Sequence, residues 1–143
     1  MNLENAVLDE RAMGDIAHRP DLNFWRGLAL GQLWLSRCVK CSTFLWPAPW
    51  RCKHCGSFEI GWEQVDARGT VYSWTRTHYP FVPGYTDLLP YVNVLVELPH
   101  ADDRRLFGLL RGDQVRIGQR VQGVFEPASP DTAHLPTLRW ELT

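Results

Sequence analysis

Cys38-Val-Lys-Cys41-Ser-Thr-Phe-Leu-Trp-Pro-Ala-Pro-Trp-Arg-Cys52-Lys-His-Cys55 decides how this chain folds, because it sets four thiols in two pairs around a proline-broken segment. The spacing is C-x2-C-x10-C-x2-C. Two residues between cysteines let both sulfurs of a tight turn point at one ion, and two such knuckles complete a tetrahedron. Cys38, Cys41, Cys52 and Cys55 are therefore the expected ligands of a structural metal ion. Zinc is favoured, with iron as the alternative that a tetrathiolate also accepts. Protein fills all four positions, so no open site remains for water or substrate. Gly56 follows the last cysteine, where a glycine is expected to let a backbone N–H approach a thiolate closely. A thiol redox pair of this spacing follows a strand and opens a helix, and neither pair has that context. His54, between two ligands, reads as an exposed knuckle residue.

Pro47 and Pro49 forbid a helix or a central strand between the pairs, so residues 34–62 read as a loop-rich minidomain. Upstream, Pro20-Asp21 opens the helical pattern DLNFWRGLALGQL, with Asp21 as the expected N-cap. Leu22, Trp25 and Ala29 share one face, and Phe24, Leu28 and Gln32 a neighbouring one. So short a helix must dock on something. Residues 1–19 are mixed and polar, with a short helix expected over 3–13, a break at Gly14, and first residues that are mobile or ordered only against a partner.

Downstream of Gly69 the period changes to two. GTVYSWTRTH (69–78), PYVNVLVEL (90–98), RLFGLLRG (105–112), QRVQGVFEP (119–127) and TLRWELT (137–143) read as five strands punctuated by glycine and proline. Five antiparallel strands in about 75 residues suit a small closed barrel of the OB type, with a small sandwich as the alternative. The chain is thus expected to be mainly β. Its division is expected at 1–20 for an N-terminal tail, 21–66 for the helix and cysteine region, and 67–143 for the barrel.

Composition narrows the function. Of 143 residues, 15 are basic and 16 acidic, for a net charge of −1. No basic stripe is present to neutralise a phosphate backbone, which disfavours nucleic acid. No apolar run approaches ~18 residues, which argues against a membrane span. The N-terminus MNLENAVLDERAMGD lacks the basic-then-apolar order of a signal peptide, so the chain is expected in the reducing cytoplasm, where paired cysteines hold metal. Seven tryptophans (25, 34, 46, 50, 62, 74 and 140) are many for this length. Most read as core, but several flank the cysteine segment, where little core exists to hide them.

No catalytic set assembles. The cysteines are committed to metal, and the histidines at 18, 54, 78, 100 and 134 are scattered, with His78 at a strand end the one worth testing. There is no G-x-S-x-G elbow and no phosphate-cradling glycine loop. Asp102-Asp103 read as turn acids.

An ordered set of residues then carries a resemblance. Phe24-Trp25-Arg26-Gly27-Leu28, Gly31, Leu33, the four cysteines, Pro47, Gly69-Thr70-Val71-Tyr72-Ser73-Trp74-Thr75, Pro90-Tyr91-Val92, Val96-Glu97-Leu98, Gly118 and Val124-Phe125-Glu126 occur in that order. Over about residues 21–127 the chain resembles the OB-fold, acyl-CoA-associated family whose members carry an N-terminal helix and a rubredoxin-like zinc ribbon. One departure is Cys52-Lys53-His54-Cys55, without the proline often found after the first cysteine of that knuckle.

The resemblance implies a non-catalytic accessory subunit of a thiolase-superfamily protein: a lipid-transfer-protein-like aldolase acting on steroid side chains, an acyltransferase or a thiolase. The catalytic groups would belong to that partner, which this subunit would bind and stabilise while helping to hold the acyl-CoA thioester. Phe24, Trp25, Leu28, Trp34, Trp46 and Trp50 are the expected partner surface, since aromatic anchors dominate interface energetics. The loop 78–91 exceeds a tight hairpin, so Phe81, Val82 and Tyr85 are candidates to line an acyl passage. Arg104, Arg105, Arg111 and Arg116 are candidates for coenzyme A phosphates, with solvated strand charges as the plainer reading. The competing classes are a single-stranded nucleic-acid binder of OB and zinc-ribbon type, and an enzyme with its own thioesterase or transferase activity.

Overall fold

The computed structural model describes residues 3–143. Met1 and Asn2, where the first part of the expected tail falls, lie outside the described residues. A short 3-10 turn, Leu3–Asn5, precedes α1 (Glu10–Ile16). The helix therefore starts later than expected and passes through Gly14. Its start is set by Asp9, whose carboxylate accepts the Arg11 amide at 2.9 Å, and its buried face by Ala12 and Ile16, four residues apart.

The second helix, α2 (Leu22–Ala29), is shorter than the expected 21–33. Gly31, at φ +70°, donates to Leu28 O, and Gln32 donates to Gly27 O at 2.9 Å. These two bonds are a Schellman stop, and they turn the chain into a strand. Asp21 does not cap the helix through its side chain. Its backbone is not extended, and its carboxylate instead accepts from Arg19 Nη2 at 2.7 Å and from Trp25 Nε1 at 3.3 Å. The apolar stripe of α2 is covered by the chain itself: Phe24 and Leu28 sit in the main core.

The cysteine region holds more strand than its prolines suggest. β1 (Leu33–Cys38) lies between β2 (Phe44–Leu45) and β3 (Ile60–Val65) in an antiparallel sheet. Leu33 and Leu35 point into the core on alternate positions. Ser36, fully buried, donates its hydroxyl to Leu45 O. The prolines act only on the segment after β2, where no strand forms.

After Asp66 and Ala67 come the five expected strands: β4 (Arg68–Thr77), β5 (Tyr91–Leu98), β6 (Arg104–Leu109), β7 (Arg120–Glu126) and β8 (Thr137–Leu142). Their order is β6-β5-β4-β7-β8, all antiparallel. A parallel bridge between Leu110 and Trp140, with Arg111 N–H on Trp140 O at 2.7 Å, brings the two edges together. That closure selects the OB barrel over the sandwich. Val92, Val94, Val96 and Leu98 of β5 all point inward. A bulge between Val71 and Ser73 turns Tyr72 out of the barrel.

The two sheets share one core, in which Leu33, Leu35 and Phe44 meet Val71, Val96, Leu106 and Trp140. A polar link reinforces the junction. Asp102 and Asp103, turn acids as expected, both adopt left-handed backbone, and the Asp102 carboxylate accepts the Phe44 N–H at 2.9 Å. Asp102→Ala leaves that partly buried amide unpaired, so we expect a loss of about 1–2 kcal/mol. A urea melt with unchanged midpoint would show that this link carries no stability.

Candidate metal centre and exposed aromatic surface

The two cysteine pairs are built as copies of one local pattern. In the first, Cys38 N–H donates to Thr43 O at 3.0 Å, Ser42 N–H to Cys38 O at 2.9 Å, and Cys41 N–H points at Cys38 Sγ at 3.5 Å. In the second, Cys52 N–H donates to Ser57 O at 2.8 Å, Gly56 N–H to Cys52 O at 2.9 Å, and Cys55 N–H points at Cys52 Sγ at 3.5 Å. The residue after each second cysteine must turn left-handed: Ser42 at φ 64° and Gly56 at φ 81°. The backbone N–H that approaches a thiolate beside Gly56 is that of Cys55, and the N–H of Gly56 itself closes the turn on the Cys52 carbonyl.

These turns bring the four Sγ atoms within 4.8 Å of one another. Cys38 Sγ lies 3.6 Å from Cys55 Sγ, and Cys41 Sγ 3.7 Å from Cys52 Sγ. A tetrahedron of sulfurs each about 2.3 Å from an ion has edges of roughly 3.8 Å, so the donor set fits a structural metal. The thiols are also electrostatically unlike one another. Hydrogen bonds from the Thr43 hydroxyl and amide pull Cys41 down to about 6. The Cys55 backbone lowers Cys52. The Ser57 amide lowers Cys55, but partial burial and the three adjacent thiols outweigh it and push that thiol up to about 11. Protons shared so unevenly are displaced when a dication binds, so metal affinity falls as the solution is acidified. His54 is exposed and outside the sulfur cluster.

The expected partner residues divide by burial. Phe24 and Leu28 are 8% and 3% exposed, which removes them from any free surface. Trp25, Trp34 and Trp46 are half-buried. Trp46 packs on Phe24 at 4.6 Å, and the indole N–H of Trp34 donates to Gln32 Oε1 at 2.9 Å. Trp50, two residues before Cys52, is 66% exposed. Of the other tryptophans, Trp140 is buried, Trp62 half-buried and Trp74 exposed.

The expected substrate residues do not form one site. Phe81 and Val82 are exposed in the β4–β5 loop, with Phe81 against Tyr79 at 4.8 Å, while Tyr85 packs edge-on against Tyr91 at 5.5 Å. Arg104 pairs in register with Leu98, at the opposite end of β5 from Tyr91. Seven strand steps separate the ends by roughly 23 Å. Arg105 is also occupied, bonded to Glu97 Oε2 at 2.9 Å and stacked over Tyr72 at 3.6 Å. Arg104 Nε donates to Asp102 O at 3.1 Å. Arg111 and Arg139 grip the two oxygens of Glu126 at 2.7 and 2.6 Å. His78 is exposed.

Val39, Phe58, Tyr72 and Phe107 are also exposed, and none of them belongs to the expected partner or substrate residues. The signal for Phe107 was present: with Leu106 inward, alternation along β6 sends the next side chain out.

Residues 25–61 match the rubredoxin-like zinc ribbon domain of ChsH2, and residues 62–126 its C-terminal OB-fold domain. The "probable enoyl-CoA hydratase alpha subunit" of Thermomonospora curvata is 37% identical over 131 residues, which are 85% of this chain and 39% of that protein. The "3-oxo-4,17-pregnadiene-20-carboxyl-CoA hydratase alpha subunit" of Mycobacterium tuberculosis is 36% identical over 107 residues, 71% of this chain and 32% of that protein. The chain thus spans well under half of the curated relatives it matches. Among solved structures, a chain of the "Ltp2-ChsH2(DUF35) aldolase" superposes with TM-score 0.76 at 29% identity, covering 87% of this chain and 95% of that one. A DUF35-family protein of unknown function from Sulfolobus solfataricus superposes with TM-score 0.61 at 20% identity over 92% of both chains, a likeness of fold.

Proposed function

The chain belongs to the ChsH2 family through its adjoining zinc-ribbon and OB-fold domains, and from that premise we propose that it is the non-catalytic accessory subunit of a thiolase-like acyl-CoA enzyme. The observation that carries this reading is the extent of the match. The chain covers 95% of a chain from a two-component aldolase, against 39% and 32% of the hydratase subunits. The aldolase name therefore describes a chain of the same build. The reaction of the complex would be carbon–carbon cleavage of an acyl-CoA, with a steroid side chain as the substrate class.

In this reading residues 1–20 are an N-terminal tail, 21–66 the helix and ribbon, and 67–143 the barrel. Cys38, Cys41, Cys52 and Cys55 hold zinc, which clamps the ribbon and takes no part in the reaction. Phe81 and Val82 meet the acyl chain at the mouth of the partner's active site. Arg104 and Arg105 belong to a separate surface at the other end of β5. In this reading the protein works in the reducing cytoplasm, where paired cysteines hold metal. Separately, no helix among the described residues is long and apolar enough to cross a membrane.

The direct test is co-expression with the host's thiolase-superfamily chain, followed by size-exclusion chromatography and an acyl-CoA cleavage assay of each chain and of both. Cleavage by the pair, and none by this chain alone, is the expected result. A thioester turned over by this chain unaided, or no complex, overturns the reading. Trp50 is the exposed anchor that the cysteine region offers. Trp50→Ala should weaken the complex by about tenfold or more and leave the melting temperature in place, since so exposed an indole contributes little to folding.

A further inference from the structure

We propose that Cys55 is an oxidation site, at which hydrogen peroxide drives formation of a Cys38–Cys55 disulfide across the two knuckles and so releases the ion. The inference rests on the metal assignment of the four cysteines and is independent of the partner's identity. Access singles out Cys55. It is exposed, whereas Cys38 and Cys52 are each 1% exposed and Cys41 is half-buried. Geometry supplies the second sulfur. Cys38 Sγ stands 3.6 Å from Cys55 Sγ, so the resolving thiol is already a neighbour and belongs to the other knuckle.

The chemistry balances on these two residues. In the metal-loaded site Cys55 has given up its proton and is held as a thiolate, and that thiolate attacks one peroxide oxygen; an S–O bond forms, the O–O bond breaks, and the departing hydroxide takes a proton to become water. The Cys38 thiolate then attacks the Cys55 sulfur of the resulting sulfenic acid. An S–S bond forms, and a second hydroxide leaves and is protonated. Two thiolates supply two electrons, and one peroxide becomes two waters at the cost of two protons. Two of four ligands are gone, and Cys41 and Cys52 alone cannot close a tetrahedron. The effect reaches the barrel because Cys38 ends β1, whose Leu33 and Leu35 lie in the main core.

The test uses the zinc-loaded full chain, titrated with hydrogen peroxide while a chromogenic chelator reports zinc and differential alkylation with peptide mapping reports the cysteines. One zinc released per chain, with Cys38 and Cys55 linked first and a dithiol plus zinc restoring the site, is expected. Cys55→His keeps four donors and removes the accessible sulfur, so its release should slow by at least about tenfold. Zinc that stays bound while peroxide is consumed, a first disulfide within either pair, or a wild-type rate in Cys55→His each overturns the proposal. A purified chain with no metal overturns the metal assignment itself, and the switch with it.

Discussion

Removing the metal should unfold the ribbon and take much of the protein's stability with it. Beyond the four sulfurs, the small core at the knuckles contains, among the described residues, only Leu45 and the partly buried Ile60. Two aliphatic side chains cannot replace an ion. Structural zinc contributes an apparent ~10–16 kcal/mol in small zinc domains, as much as the whole net stability of an ordinary domain, ~5–15 kcal/mol. Damage would not stop at the sulfurs. Leu45 is tied to β1 through the Ser36 hydroxyl, and its neighbour Phe44 is part of the barrel core. Cys52→Ala, at a ligand 1% exposed, should therefore lower the melting temperature by well over ~10 °C and abolish stoichiometric metal. Chelation should do the same reversibly. Metal content by mass spectrometry, read beside tryptophan fluorescence during melting, checks both. A variant that melts where the parent does, without metal, would mean that the ribbon folds on its apolar contacts alone.

The second large effect is expected at the barrel seam. Trp140 is fully buried on β8, where the Leu110 bridge draws the edge strands together. Gly108 makes the room: a Cβ there would lie 2.7 Å from Trp140 Cδ1 and Nε1. Trp140→Ala removes the largest side chain of the core and leaves a cavity that the closed sheet can fill only in part. About 3–5 kcal/mol should be lost. Trp140→Phe should cost less, because the indole N–H has no hydrogen-bond partner to lose. The reverse perturbation, Gly108→Ala, should cost about 1–3 kcal/mol by overpacking the same spot. Urea denaturation of the three variants orders them. A Trp140→Ala chain that loses under ~1 kcal/mol would show that the barrel closes without this indole.

How much of this was legible before folding depends on the range of the signal. The thiol cluster was readable because two-residue spacing and left-handed turns are local chemistry, confined to a few neighbouring residues. The barrel strands were readable because β5 alternates strictly and glycine or proline borders each run. The short strands of the ribbon were not, since β2 is two residues long and β3 carries little apolar pattern; only pairing with β1 makes either a strand. Asp21 looked like a cap by residue type, but its backbone dihedrals sent the carboxylate to Arg19 and Trp25 instead.

Sequence by itself determined that four thiols meet, that five strands follow them, and that α2 has an apolar stripe in need of cover. Tertiary structure alone decided what covers that stripe, and the answer is this chain's own core, which leaves Trp50 rather than Phe24 or Leu28 facing outward. It also decided that Phe81 and Arg105 stand at opposite ends of the barrel. Both outcomes come from long-range pairing: a side chain's neighbours across a sheet are set by register and strand direction, and no local pattern encodes those.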